Sequence, residues 1–82
     1  MQSDLKKIPG VGCNIEKHLI DLGYMSIESL KGCNPEEMYQ KECLQKGVQL
    51  DRCLLYVYRL AVYYAQNEIH DPEQLKWWNW KD

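Results

Sequence analysis

Pro9-Gly10-Val11-Gly12 breaks this chain close to its start, and the residues on both sides of the break have helical character. Proline fixes φ and lacks an amide hydrogen, while glycine enters backbone regions closed to other residues. A helix cannot pass through such a run, so one must end before it and another begin after it. Downstream, Ile15, Leu19 and Leu22 recur at i, i+4 and i+7, one face of a helix. Cys13 or Asn14 stands at its start, and Gly23 lies just past its last apolar residue, where glycine ends helices. The chain therefore makes a tight hairpin at residues 8–12 inside a two-helix element at residues 5–22.

The remaining punctuation extends the same logic. Ser26 is placed to cap a short helix through Leu30, closed by Gly32. Asn34-Pro35-Glu36-Glu37 joins a capping residue, a proline at the first helical position and an acid at the third. That helix should reach about Lys46, with Gly47 as its terminator. Leu50, Leu54, Val57, Ala61 and Tyr64 then follow helical spacing to about Asn67, and Leu55, Leu60 and Val62 widen the apolar face. A helix apolar over most of its circumference belongs at the centre of a bundle. Its polar stripe is Arg52, Tyr56, Arg59, Tyr63 and Gln66. Asp71-Pro72-Glu73-Gln74 caps a last short helix in a tryptophan-rich segment, residues 71–82. No strand pattern appears. The expected fold is all-α: one domain over residues 1–82, a compact bundle of about five helices.

With 82 residues, 45% hydrophobic and 27% charged, the chain can build one modest core. No apolar run approaches the roughly 18 residues that cross a bilayer. Met1-Gln2-Ser3-Asp4 lacks a charged start followed by an apolar stretch, so no secretory leader is expected and the cytoplasm is the default location. There the four cysteines are expected as free thiols. The net charge of −2 argues against a strongly basic nucleic-acid binder. Residues 1–33 are neutral, however, with Lys6, Lys7, Lys17 and Lys31 against Asp4, Glu16, Asp21 and Glu28. Contact with a polyanion must then be local and must use backbone groups.

The apolar–Pro–Gly–apolar–Gly run at residues 8–12 resembles the helix-hairpin-helix motif. The two glycines are expected at angles other residues avoid, so that Gly12→Val would distort the turn. Ile8 and Val11 should point inward. The second helix would begin at the hairpin with its first amides unpaired, and those N–H groups with the helix dipole favour a phosphate oxygen. Candidate nucleic-acid contacts are therefore Lys6, Lys7, Pro9, Gly10, Val11, Gly12, Cys13, Asn14 and Lys17. DNA-binding hairpins of this type often carry Lys, Arg, Ser or Thr after the second glycine; here Cys13 and Asn14 follow. The same hairpin also serves as a packing element or a protein-contact surface. The short helix, glycine connection and second helix from Ser26 to about Lys46 loosely repeat the unit, which gives the domain tandem, SAM-like character.

The likeness extends along the chain through Leu22-Gly23, Ser26-Ile27-Glu28-Ser29-Leu30, Asp51-Arg52-Cys53, Tyr63-Tyr64-Ala65 and Leu75-Lys76-Trp77-Trp78-Asn79-Trp80. Together these resemble the small bacterial pathogenicity-locus family of helix-hairpin-helix proteins, whose members are often labelled mitomycin resistance proteins. The resemblance implies this fold and a DNA role, with no activity attached.

Other chemistry finds little support. Cys33, Cys43 and Cys53 are spaced by ten residues, unlike the two-to-four spacing of structural zinc ligands, and no metal or other cofactor is expected. The cysteines read as small buried residues, Cys53 on the central helix above all. Cys13 at a helix start would have a stabilised thiolate. His18 reads as a boundary residue. No nucleophile elbow, P-loop or metalloprotease motif is present, so no catalytic residue is assigned and no enzyme is expected. The Arg52/Tyr56/Arg59/Tyr63 stripe can stack on bases, or the tail can fold over it with Arg–Trp cation–π contacts. An open tail would instead serve a protein partner or a second copy of the chain.

Overall fold

The computed structural model describes residues 4–81; Met1, Gln2 and Ser3, part of the stretch in which no leader was expected, and the last tail residue, Asp82, lie outside them. Three α-helices form among the described residues: α1 (Cys13–Asp21), α2 (Pro35–Lys46) and α3 (Arg52–Gln66). Four short 3-10 turns accompany them, at Leu5–Lys7, Glu28–Leu30, Pro72–Leu75 and Trp77–Trp80. No strand occurs among the described residues. The protein is thus all-helical, and three segments expected as short helices are single 3-10 turns. They are too short to close several i→i−4 hydrogen bonds, and packing holds them in place of cooperativity.

Local chemistry accounts for the element ends. Asn34 Oδ1 accepts from the amides of Glu36 and Glu37, and Pro35 follows at the first position of α2. Asp51, which the apolar pattern did not single out, caps α3 by accepting from the Cys53 amide at 2.9 Å. Ser26 and Ser29 exchange side-chain bonds to each other's amides and close the turn before Leu30. α1 ends in a Schellman motif, with Gly23 N–H donating to Ile20 O and Tyr24 N–H to Leu19 O, both at 2.9 Å. Gly23 has φ 98°, a left-handed angle that a Cβ would resist.

α3 is the central element. Leu54, Leu55, Val57, Tyr58, Leu60, Ala61, Val62 and Ala65 are all buried. α2, the Glu28–Leu30 turn and both tail turns pack on it. The hairpin adds Leu5, Ile8 and Val11 to the same core, with Leu19 and Leu22 from α1. Asp4 Oδ1 accepts from the Ile27 amide at 2.8 Å and ties the first turn to the segment after α1.

The tail folds back over the polar stripe of α3. Leu75, Trp77 and Trp80 pack against the core, and the Trp80 ring meets Tyr63 at 5.4 Å. The cation–π contacts among the described residues pair other partners than the Arg–Trp ones expected there. Arg59 lies over the Tyr56 ring at 5.6 Å and donates to the Trp80 carbonyl at 2.6 Å, while Lys81 covers Trp77 at 5.7 Å. The Glu36 carboxylate, 2.8 Å from the Arg59 guanidinium, draws that group toward α2 and away from the indoles. Cys53 is exposed, against expectation. It sits in the first turn of α3, where the adjacent Leu54 and Leu55 take the inward positions and Cys53 is left on the exposed side.

Candidate nucleic-acid interface

Ile8-Pro9-Gly10-Val11 is a four-residue turn closed by Val11 N–H donating to Ile8 O at 3.1 Å. Proline at the second position and Gly10 at φ 86° in the third fit a type II turn, which needs a positive φ there. Ile8 and Val11 are buried, as their spacing predicts, and Pro9 is half-buried. A Cβ on Gly10 would lie 3.4 Å from Leu60 Cδ2 and 4.0 Å from Trp77, so the turn also abuts α3 and the tail.

Gly12 behaves differently from the expectation of a second special angle. Its φ of −95° and ψ of −170° are ordinary extended backbone, and a Cβ there meets nothing within 4 Å. Gly12 is the N-cap of α1, and no side chain caps that helix. The absence of a side chain is what matters: a Ser, Thr, Asn or Asp at this position would fold onto the amides of the first turn. Among the described residues, no backbone carbonyl accepts from the amides of residues 12–15, and the first paired amide is Glu16, to Gly12 O at 2.9 Å.

Gly10, Gly12, Cys13 and Asn14 are exposed at this end, together with Lys6, Lys7 and Lys17. Lys6 Nζ reaches the Cys13 sulfur at 3.5 Å, so one of the lysines stands directly beside the helix start. Of the nine candidate contact residues, only Val11 is buried, and it takes part through the backbone turn. The surface thus offers unpaired amides, the positive end of a nine-residue helix and nearby ammonium groups, a combination suited to an anion.

A second cluster escaped the sequence reading. Glu42 on α2 is fully buried at 0% exposure. The Tyr58 hydroxyl donates to its Oε1, and its Oε2 shares a hydrogen bond with His18 Nδ1. Lys46 Nζ lies 3.7 Å from Glu42 Oε2 and 3.9 Å from Asp21. Burial, and then the adjacent Glu42, push the Tyr58 phenol well above its ordinary range, so it stays a neutral donor. The signal was available in the sequence: Glu42 follows Met38 by four residues, on the stripe α2 buries, and precedes Lys46 by four.

All four cysteines are free, and none is fully buried. At the start of α3, the Asp51 carboxylate raises the Cys53 thiol above its usual range. Among the described residues, no three His, Cys, Asp or Glu side chains are placed to hold a metal ion. No described helix is long and apolar enough to cross a membrane.

The full length of the chain, residues 1–82, matches the family described as Cdd1, pathogenicity locus. The chain belongs to that family. No curated protein and no solved structure gives a significant match. Membership agrees with the resemblance drawn from the tryptophan tail and the Pro-Gly-Val-Gly run. In this Cdd1 member the tail is structural in part: Trp77 and Trp80 pack inward, while Trp78 remains 51% exposed.

Proposed function

We propose that this chain is a non-catalytic helix-hairpin-helix protein that holds the phosphate backbone of DNA on the first turn of α1. The open N-terminus of α1 carries the reading: a side-chain-free cap, exposed amides, and Lys6, Lys7 and Lys17 on the same surface. Had those amides been buried or capped, the hairpin would be a packing element. In this reading Leu5–Lys7 is the first helix of the motif, reduced to one turn. Glu28–Leu30 with α2 is a second, degenerate unit whose amides Asn34 already occupies. A reducing cytoplasm suits four free thiols.

Backbone amides read phosphates and not base edges, so little sequence preference is expected. One hairpin neutralises few charges, and a dissociation constant on the order of 10–100 µM at physiological salt is expected for duplex DNA. Fluorescence anisotropy with a labelled duplex at two salt concentrations measures it. Lys6→Glu with Lys7→Glu should abolish binding while the melting temperature holds. Gly12→Asp should also abolish it, because the new carboxylate caps the amides and repels phosphate. Absence of binding at low salt and high protein concentration overturns the proposal.

A second reading, as a protein-interaction module, is favoured by one feature. Leu44 and Val48 stand exposed beside a groove of about 720 Å³ between α2 and the start of α3, which Tyr39, Cys43 and Leu55 also line. Sedimentation of the purified chain, with Leu44→Glu as the variant, tests whether this face joins two copies.

A further inference from the structure

Tryptophan carries a large apolar surface, and a domain with so modest a core gains from every ring it buries. Trp77 and Trp80 do pack inward, yet Trp78 between them stays 51% exposed. That ring stands close to the hairpin. A Cβ on Gly10 would lie 4.0 Å from both Cβ and Cδ1 of Trp77, and the Trp77 and Trp78 ring centroids are 5.8 Å apart. Trp78 is therefore one ring removed from the turn that leads into α1.

The ring is held and still open. Trp77 and Trp78 meet edge to face at 86°, and Trp77 is itself packed against the core, so the contact limits the orientations open to Trp78. In an edge-to-face pair neither ring can cover both faces of the other, so Trp78 keeps at least one face clear of Trp77. Among the described residues its ring contact is with Trp77 alone.

The surroundings of the ring favour a base over a protein. A protein partner buries an apolar patch at the centre of its interface. The other exposed residues of this turn of the tail are Lys76, Asn79 and Lys81, all polar. Lys81 Nζ lies 5.7 Å over the Trp77 ring, and Lys6 and Lys7 are exposed just before the hairpin. Of the tail's own acids, Glu73 is 3.4 Å from Lys76, and Asp71 caps its turn by accepting from the Glu73 amide. A single flat ring among ammonium groups, beside amides that suit a phosphate, is the pairing that surfaces for single-stranded nucleic acid use. A duplex hides its base faces in the stack, whereas an unpaired base offers one.

We infer that Trp78 is a stacking platform for an unpaired base of the strand whose phosphate lies on the first turn of α1. This rests on the reading of α1 as a phosphate-binding surface and names the class of DNA that the surface prefers: single strands, gaps and frayed ends ahead of intact duplex.

The test uses the full chain and three labelled probes of equal length: oligothymidylate, its duplex with oligoadenylate, and an abasic strand that keeps the phosphates. Fluorescence anisotropy should give oligothymidylate about tenfold tighter binding than either of the others, the scale of one stacked base. Trp78→Ala should bring oligothymidylate down to the abasic level and leave the duplex affinity unchanged. Trp78→Phe should keep most of the preference. Tryptophan emission of the parent should be quenched by oligothymidylate, and less so in Trp78→Phe at equal occupancy. If Trp78→Ala does not fold, Trp78→Phe and the quenching decide. Equal affinity of the parent for all three probes overturns the inference and leaves the phosphate reading standing. Absence of binding to any probe removes both. Oligothymidylate binding that survives Lys6→Glu with Lys7→Glu also overturns the inference, because the base would then be held away from the hairpin. So does a Trp78→Ala variant that loses self-association in sedimentation while its binding to all three probes is unchanged, since the ring would then be a protein contact.

Discussion

Gly10 and Gly12 are two positions apart and are constrained by different physics. Gly10 needs its left-handed φ of 86° to close the turn at Val11. Gly12 has an unremarkable angle and open space around it, and its contribution is the side chain it lacks. Gly10→Ala should therefore cost about 1 kcal/mol or more, because a Cβ strains that backbone region. Gly12→Ala and Gly12→Val should leave the melting temperature within about two degrees. Thermal melts of the three variants check this, and equal destabilisation by Gly10→Ala and Gly12→Ala would refute the turn geometry. The sequence pattern located both glycines but assigned them one role, since a residue's identity records what is permitted and not which torsion is adopted.

At the scale of elements, two caps allow separate tests. Asn34 satisfies two amides of α2, so Asn34→Ala should cost about 1 kcal/mol, or roughly 4–8 °C in melting temperature for a domain of this length. The Asp51 carboxyl is held below its usual range, chiefly because the Cys53 amide donates to it. A folded value below the unfolded one means that Asp51 contributes stability above about pH 3.9, the ordinary Asp value. That contribution is lost as pH falls through the lower folded value. Asp51→Asn keeps a capping oxygen but cannot titrate. Its melting temperature should match the parent's near neutrality and fall less steeply between about pH 4 and pH 2. Circular dichroism melts across that interval decide the point, and parallel curves for the two proteins would rule the cap out as an acid-sensitive group. Asn34 was legible in the sequence because Pro35 and an acid follow it in register. Asp51 was missed because the apolar pattern begins at Leu50, and periodicity places a helix end only to within a few residues.

At the scale of the whole molecule, the tail is part of the folded unit. Removing residues 75–82 strips Leu75, Trp77 and Trp80 from the core and uncovers Tyr63 and Arg59. The loss should exceed about 3 kcal/mol, as expected for deleting a buried large side chain. Trp78→Ala, at a half-exposed ring, should cost less than about 1 kcal/mol. Urea titrations of the two variants measure the difference. A truncated chain as stable as the parent, with self-association lost, would make the tail an interface.

What the sequence determined by itself is local. Caps, terminating glycines and the period of apolar residues act within a few positions, so the three α-helices and the open start of α1 could be read from neighbours alone. The central place of α3 followed as well, since a helix apolar on most sides has no stable position at the surface. Tertiary structure decided the rest. It placed the tail on α3 and left Cys53 on the exposed side of that helix. It also brought Glu42, His18 and Tyr58, from three different helices, to a single buried carboxylate. Such a contact has no local signature, because its partners are 16 and 24 residues away in the chain and its stability depends on burial that only the assembled helices supply.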